Sequence, residues 1–459
     1  MKLKNIVAAV LLTAASTAMA ADCTPRYVFY FIGDGMGLGP VGAAQTYLRE
    51  KFGEERHLLL DSLEVMGWCK TYSASSPVTD SAAAGTALST GTKTKNGMLG
   101  MNPDTVAVTS VAAQLFDRGY GVGLVTSVAP DDATPGAFYA HVPSRKMYYT
   151  IGTQMARSGY QFVAGSGLRG IREDGRDTDL LSVFAENDVQ LLYGAEGIDR
   201  ISSEKVLLLG PEDGKDWSIG YTVDSIPGAL NLPQMTRACL RHLEQTSPDG
   251  FFMMVEGGNI DHALHGNDGG AALKEILNFN DAVRVGLEFY RAHPEETLVI
   301  VTADHDTGGM ALSNNAKDGL LDVDYQKVSK EVFSDYCKSL LRSRNIYTWD
   351  DMKEYLNHNM GLFGAIPVSA DDEERLHDMF DRTFELRNTS DQETLYANFN
   401  SFAVEVFRLF NNHVGFAFTT TGHSGNPVPL CASGCGADMF KGVNNNIDIP
   451  ERIRALMLR

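Results

Sequence analysis

Histidine and carboxylate side chains stand together at several places where short apolar runs end. Asp34 lies among glycines after one such run, and Asp304 is followed at once by His305 after another. Asp261 and His265 are four residues apart, so on a helical turn they share one face and can bind one metal ion. Histidine with carboxylate suits zinc, whereas carboxylate, hydroxyl and water suit magnesium. The pattern therefore predicts metal binding.

A further histidine, His423, is set among small residues near the end of the chain, in the segment Thr421-Gly422-His423-Ser424-Gly425. We assign four histidines to a site: His262, which follows Asp261, His265, His305 and His423. The other histidines are interpreted as structural: His57, His141, His242, His293, His358, His377 and His413.

A hydroxyl group that could attack an electrophile is found in the segment from Thr79 to Gly85, where Ser81 follows Asp80. The small residues after Ser81 predict a helix, and the amides and dipole at its start would favour an incoming anion. The alternative is that Ser81 or Asp80 only caps this helix. The chain contains no GxSxG nucleophile elbow and no complete phosphate-binding loop motif.

The glycines that follow Asp34 allow a second interpretation, because the segment from Gly37 to Gly42 matches GxGxxG. That motif binds dinucleotides between a strand and a helix. It also requires an acidic residue at the end of the second strand. Asp61 instead precedes the next predicted strand, so the dinucleotide interpretation is the weaker one.

The elements that must position these side chains alternate between apolar β-type runs and helical patterns. Predicted strands cover 27–32, 65–72, 122–126, 251–255 and 298–302, and predicted helices cover 41–51, 106–118 and 271–292. Apolar strands between helices are typical of an α/β three-layer sandwich, with a mostly parallel central sheet covered by helices on both faces. Ligands bind beyond the carboxyl ends of such strands, where the candidate residues lie.

From about residue 314 to 412 the sequence is polar and amphipathic, which predicts a mainly helical insertion. Because the site-like segment around His423 follows it, we expect one catalytic domain, 21–459, that contains this insertion. No internal repeat is visible.

The first 20 residues have the pattern of an export signal. Lys2 and Lys4 precede a largely apolar stretch, and Ala18-Met19-Ala20 is typical of a cleavage site. We therefore expect a periplasmic or secreted protein, where disulfides are permitted. Cys431 and Cys435 are close enough in sequence to pair, with Cys23–Cys69 as a second pairing.

The composition excludes several functions. A net charge of −19 argues against nucleic acid or an anionic membrane as the main partner. No apolar run reaches the ~18 residues of a membrane span. Hydrophobic residues make up 44% of the chain, which allows a large core.

Taken together, these segments resemble the alkaline phosphatase family, from Tyr27 to Gly425. The resemblance implies a phosphate monoester hydrolase with a phosphoserine intermediate. Ser81 falls at the position of the nucleophile, beside Asp80 in the same motif. Arg145, thirteen residues after Asp132, falls at the position of the phosphate-binding arginine.

The resemblance also implies two zinc ions and one magnesium ion. One zinc would be held by Asp261, His265 and His423, and the other by Asp34, Asp304 and His305. The magnesium would be held by Asp34, Asp132, Thr134 and Glu256. We assign His262 to substrate binding; its imidazole, together with the acidic Asp132, leaves the metal preference of the third site open.

The expected substrates are small-molecule phosphate monoesters, and the resemblance suggests a homodimer. Two related activities, phosphodiester and sulfate ester hydrolysis, are alternatives. A sulfatase requires a Cys- or Ser-x-Pro-x-Arg motif, which Cys23-Thr24-Pro25-Arg26-Tyr27 misses by one residue. Metal or phosphate binding without turnover is a third alternative, and it leaves Ser81 unexplained.

Overall fold

The computed structural model describes residues 23–212, 214, 217–343, 347–387 and 390–458. The predicted signal segment, 1–20, lies outside the described residues. None of the helices in the described ranges combines the length and apolar character needed to span a bilayer.

The described residues form one large sheet of ten strands. In chain order the strands are β1 (Tyr27–Gly33), β2 (Val65–Lys70), β3 (Gly121–Thr126), β4 (Phe162–Gly165), β5 (Gln190–Tyr193), β6 (Val206–Leu209), β7 (Phe251–Glu256), β8 (Thr297–Ala303), β9 (Val428–Gly434) and β10 (Gly442–Asn445). Their spatial order is β10-β2-β9-β8-β1-β7-β3-β4-β6-β5. Strand β9 runs antiparallel to both of its neighbours, and the other pairings are parallel.

Helices cover the sheet and form most of the region from 314 to 412. In chain order they are α1 (Leu38–Phe52), α2 (Ser81–Thr90), α3 (Val111–Phe116), α4 (Ala133–Gly136), α5 (Tyr148–Arg157), α6 (Leu180–Glu186), α7 (Leu232–Thr246), α8 (Gly258–His265), α9 (Gly269–Ala292), α10 (Ala316–Gly319), α11 (Lys330–Arg342), α12 (Trp349–Met360), α13 (Ala370–Phe380), α14 (Ser401–Val414) and α15 (Asp448–Met457).

The central strand β1 shows how both faces of the sheet are buried. Successive side chains of a strand point to opposite faces. The Phe29 ring packs 5.4 Å from that of Phe289 on α9, whereas the Tyr30 hydroxyl donates to the Leu88 carbonyl of α2 on the other face. A strand buried on both faces must be apolar throughout, as β1 is. The predicted three-layer α/β fold is confirmed.

The predicted helix at 106–118 is shorter in the structure. It begins only at Val111, because the Ser110 hydroxyl accepts from the Ala113 amide and caps it there. Before it, the Asn102 side chain accepts from the Val106 amide and holds this segment in a turn.

The predicted disulfides are wrong. Cys23 is bonded to Cys435, 412 residues away in sequence. Cys431 is buried within β9 and Cys69 within β2, and both are free thiols. Two cysteines four residues apart on an extended strand are too far from each other to bond.

The region from 314 to 412 is connected to the rest of the fold through one pair of short strands. Ala311 and Leu312 pair with Ala417 and Phe416 in a short antiparallel ladder that closes the base of the region from 314 to 412. Helices α10 to α14 lie between the two strands of this ladder. The division into one catalytic domain with an insertion agrees with this path and stays a prediction.

Candidate active site

The candidate site lies where the carboxyl ends of neighbouring strands meet. Strands β8, β1, β7 and β3 are adjacent in the sheet. Asp34 directly follows β1, Asp304 directly follows β8, and Glu256 is the last residue of β7. Parallel strands bring these three carboxylates to one edge of the sheet, as the sequence predicts.

Gly35 allows the backbone after β1 to pack closely against Asp261 and Thr307. Its φ of +69° is left-handed, which glycine adopts without penalty. A Cβ atom here would lie 2.8 Å from an Asp261 carboxylate oxygen and 2.8 Å from the Thr307 hydroxyl. The glycine next to Asp34 therefore gives the backbone room beside the acidic groups.

Asp261, His265 and His423 form the first cluster of donor atoms. Helix α8 places Asp261 and His265 one turn apart, with His265 Nε2 at 3.3 Å from Asp261 Oδ2. His423 comes from a short strand that pairs with Asp306 and Thr307, and its Nε2 lies 3.1 Å from His265 Nε2. All three side chains are buried or nearly so.

Asp34, Asp304 and His305 form the second cluster. His305 Nε2 lies 3.4 Å from Asp34 Oδ1 and 3.2 Å from Asp304 Oδ2. The other oxygen of Asp304 accepts from the amides of Gly35 and His305 at 3.1 and 2.8 Å. These amides fix the carboxylate and leave Oδ2 directed at the cluster.

Each imidazole is oriented through its other nitrogen. Nδ1 of His265 donates to the Thr421 carbonyl at 2.6 Å, and Nδ1 of His423 donates to the Thr79 carbonyl at 2.9 Å. His305 Nδ1 lies 3.2 Å from the Thr307 hydroxyl. In the neutral ring, a proton on Nδ1 leaves a lone pair on Nε2, the arrangement found in metal-binding histidines.

The electrostatics show carboxyl groups crowded without compensating charge. Burial, reinforced by Asp304 and Asp261, raises the pKa of Asp34 well above its ordinary value. Burial and the charge of Asp261 also raise the pKa of Asp304. Burial alone would raise the pKa of Asp261, but the imidazoles of His265 and His423 hold it well below its ordinary value.

The donor set fits divalent cations. Asp34 Oδ1, Asp261 Oδ2 and Asp304 Oδ2 are buried and have no hydrogen-bond partner within the described ranges. Such atoms are costly unless something binds them. Donor atoms on a tetrahedron around zinc, at ~2.0–2.1 Å from the ion, are roughly 3.3 Å apart. Three nitrogen–oxygen separations in the clusters, 3.2 to 3.4 Å, match that spacing, and His423 Nε2 lies somewhat farther, 3.9 Å from Asp261 Oδ1.

A third group of oxygen donors adjoins Asp34. The Thr134 hydroxyl is buried and has no partner in the described part of the chain. Burial raises the pKa of Glu256 to about 7, against the effect of the hydrogen bond that the Thr126 hydroxyl donates to it. The two carboxylate oxygens of Asp132 bind Arg145 and Arg169 at 3.0 and 3.2 Å. Its role as a ligand of the third ion stays a prediction.

Ser81 is the first residue of α2 and points at the second cluster. Its Oγ lies 3.2 Å from His305 Nε2. Asp80 is the cap of the helix: one oxygen accepts from the Ala83 amide at 3.0 Å and the other from the Gly97 amide at 2.9 Å. Because Asp80 performs the capping, the Ser81 hydroxyl is left to face the site.

Arg145 lies near Asp80, the residue before Ser81. Its guanidinium is 3.6 Å from Asp80 and donates to Asp132 at 3.0 Å. The side chain is 15% exposed, so the charge is held in a mostly dry setting and still reaches the cavity. This is a suitable position for binding two oxygens of a phosphoryl group.

His262 packs against an aromatic ring from the region 314–412. The Tyr396 ring centroid is 3.9 Å from that of His262, and the Tyr396 hydroxyl is 3.4 Å from Arg145 Nη2. Burial lowers the pKa of His262 to about 4, so the imidazole is neutral near pH 7. Its contact with Tyr396 is ring packing and involves no charge on the imidazole.

Three residues of the site were missed from the sequence. Thr307 donates to Asp261, Arg169 binds Asp132, and Tyr396 covers His262. Arg169 follows the end of β4, so the strand-end rule that found Asp34 and Asp304 could also have found it. Tyr396 lies in a polar stretch that carries no comparable signal.

Comparisons with known proteins identify the family. The profile of the family described as Alkaline phosphatase matches residues 26–164 and 150–458. Alkaline phosphatase 4 of Bacillus subtilis (strain 168) is 26% identical over 432 residues, which cover 92% of this chain and 87% of that protein. Alkaline phosphatase 3 of the same bacterium is 28% identical over 439 residues, covering 93% and 88%.

Two solved structures are similar over nearly the whole chain. A cold-active alkaline phosphatase from the psychrophile Shewanella sp. has a TM-score of 0.78 at 27% identity and covers 94% of this chain and 99% of its own. The Thermus thermophilus alkaline phosphatase has a TM-score of 0.78 at 25% identity, covering 97% and 95%. The chain therefore belongs to the alkaline phosphatase family of metal-dependent phosphate monoester hydrolases.

Proposed function

We propose that this enzyme hydrolyses phosphate monoesters through a phosphoserine formed on Ser81. The observation that carries the proposal is the direction of the Ser81 hydroxyl, 3.2 Å from His305 Nε2 in the second cluster. Arg145 lies beside it, 3.6 Å from Asp80. A nucleophile, an arginine and two donor clusters thus surround one point where a phosphoryl group would bind.

The two clusters would hold zinc ions, because each combines imidazole with carboxylate. Asp34, Asp132, Thr134 and Glu256 would hold magnesium, because they offer only oxygen. Both oxygens of Asp132 also bind arginine, but an ionised carboxylate has further lone pairs for a cation. When bound, such cations stabilise the negative charge on the entering and leaving oxygens.

The residues of the chain perform the two displacement steps. Ser81 Oγ forms a bond to phosphorus as the ester bond breaks, and the departing alcohol takes up the proton that the serine loses. Water then breaks the serine–phosphorus bond and releases inorganic phosphate, which restores the hydroxyl. Arg145 binds two phosphoryl oxygens throughout with its planar guanidinium.

The test is to trap the intermediate in the zinc- and magnesium-loaded enzyme. Acid quenching with a radiolabelled monoester, followed by peptide mapping, should find phosphate on Ser81. Ser81→Ala should lose the label and at least about 10³-fold in kcat. Ser62 is an exposed serine before β2, and the control variant Ser62→Ala should keep both the phosphate label and the kcat of the parent. Label on another residue, or an active unlabelled Ser81→Ala, would overturn the proposal.

We further propose that the protein is exported and cleaved after Ala20. The disulfide between Cys23 and Cys435 supports this, because such bonds persist in oxidising compartments. Intact mass spectrometry of the protein from its native host should give a chain that starts at Ala21 and contains one disulfide. A chain that retains Met1 and a reduced Cys23 would contradict export. The homodimer suggested by the resemblance stays a prediction.

A further inference from the structure

A cavity of about 470 Å³ is bounded on one side by Asp80, the residue before Ser81. It is lined by Asp80, Arg145, Lys146, Tyr148, Arg169, Trp217, Leu395 and Tyr396. Three of these side chains are cationic and one is a carboxylate, in a protein whose net charge is −19. The cavity wall therefore carries more cationic than acidic side chains, in contrast to the chain as a whole.

Arg169 is held in this cavity by two neighbouring acids. Both oxygens of buried Asp131 accept from backbone amides, one from Arg169 at 3.1 Å and one from Gly170 at 2.8 Å. The next residue, Asp132, binds the guanidinium of Arg169 at 3.2 Å. Asp131 thus anchors the backbone of the arginine, and Asp132 anchors its side chain.

The face of the Arg169 guanidinium is also supported. Its Cζ atom lies 4.1 Å from the centre of the Tyr148 ring, a cation–π contact. The backbone of Arg169 is fixed by Asp131, and its guanidinium is held at one edge by Asp132 and on one face by Tyr148. The side chain therefore has little rotational freedom left to lose when it binds an anion. The side chain remains 29% exposed and lines the cavity, so it is accessible to a ligand.

Arg145 and Arg169 are coupled through one carboxylate. Arg145 binds Oδ1 of Asp132 and Arg169 binds Oδ2. The two guanidinium groups are therefore close enough to be spanned by one small molecule. Both arginines line the same cavity, so a ligand that Arg145 binds through one group can reach Arg169 with another.

We propose that Arg169 is a specificity-determining residue that binds a second anionic group on the leaving portion of the substrate. This inference rests on the proposed function of Ser81 and Arg145. The substrate class is phosphate monoesters whose alcohol also carries a carboxylate, phosphate or similar anion. Lys146 adds positive charge at the same wall, and the rings of Tyr148 and Tyr396 give the cavity sides against which a planar group can pack.

The test compares two substrates that differ in charge and little in shape. In 4-carboxyphenyl phosphate the ring carries a carboxylate, and in 4-carbamoylphenyl phosphate it carries a neutral amide. The ratio of their kcat/KM values in the metal-loaded enzyme measures the preference for the anion. Arg169→Gln should lower this ratio by about tenfold, the effect of losing one charge-assisted hydrogen bond at a partly exposed site. Arg169→Lys should restore part of it.

Arg172→Gln is the matched control. Arg172 lies three residues further along, is 74% exposed and pairs with Asp177 at the surface, so the ratio should not change. Arg169 could instead act only by positioning Asp132. In that case Arg169→Gln would slow both substrates equally and leave the ratio unchanged, which would overturn the proposal.

Failure of the underlying mechanism would look different. Ser81→Ala should abolish turnover of both substrates whatever Arg169 does. An active Ser81→Ala would reject the phosphoserine mechanism, whereas an unchanged ratio in Arg169→Gln together with an inactive Ser81→Ala would reject only the second anionic site.

Discussion

The hydroxyl of Thr307 donates a hydrogen bond to the carboxylate of Asp261. The same hydroxyl lies 3.2 Å from Nδ1 of His305, from which its oxygen can accept a hydrogen bond. Asp261 belongs to the first donor cluster and His305 to the second. One buried threonine therefore orients a donor side chain in each cluster.

We predict that Thr307→Val lowers the zinc affinity of both sites. Valine has nearly the same shape, but it neither orients Asp261 nor fixes the proton of His305 on Nδ1. Loss of such an outer hydrogen bond typically costs 10- to 100-fold in metal affinity. Competition with a chelator measures the effect. Thr307→Ser keeps the hydroxyl and should stay close to the parent; equal losses in both variants would contradict this role.

Arg145→Ala should weaken the binding of substrate and of inorganic phosphate together. A bidentate charged contact contributes about 1.5–3 kcal/mol, which corresponds to a 10- to 100-fold rise in the inhibition constant for phosphate. Zinc content, measured by elemental analysis, should not change, because Arg145 is in neither cluster. Phosphate inhibition that is unaltered in this variant would remove Arg145 from the site.

Local patterns predicted part of each donor cluster, whereas the grouping into two sets, with His423 in the first, came from the family resemblance. Asp34 and Asp304 follow two neighbouring parallel strands, so a local pattern determines where they meet. Asp261 and His265 share a helical turn, which is equally local. These relationships require only the periodicity of one element and the direction of a sheet.

Contacts between distant segments were not predictable in this way. The partner of Cys23 is 412 residues away, and nothing near either cysteine indicates it. Tyr396 reaches His262 only because the region from 314 to 412 folds back over the site. The two arginines on Asp132 likewise depend on how three separate loops pack. Such contacts follow from the assembled fold, which sequence spacing does not describe.

Glu256→Ala should abolish activation by magnesium and leave two zinc ions per chain. Glu256 ends β7 beside the buried Thr134 hydroxyl and belongs to neither zinc cluster. Metal-free enzyme should require zinc for any activity and should gain more when magnesium is added. Glu244→Ala, an exposed glutamate on α7, is the control. Full activity of the parent with zinc alone, without a response to magnesium, would count against a magnesium site here.

The last prediction concerns the pH dependence of stability and the buried Glu275 on α9. Its carboxylate accepts from the Thr222 amide at 2.6 Å, yet burial raises its pKa to about 7. Between the unfolded value near 4.3 and about 7, the folded chain holds a proton that the unfolded chain has lost. The free energy of unfolding therefore falls as the pH rises through this window.

Glu275→Gln should remove that part of the pH dependence. An uncharged amide still offers an oxygen to Thr222 and carries no charge to bury. At pH 8 the variant should be more stable than the parent by up to about 3 kcal/mol, and at pH 4 the two should be nearly equal. Urea unfolding of the metal-free proteins at both pH values measures the difference. Glu288→Gln, an exposed site on the same helix, should show no such gain. Equal stability of Glu275→Gln and the parent at pH 8 would show that Glu275 ionises in the folded state at its ordinary pKa.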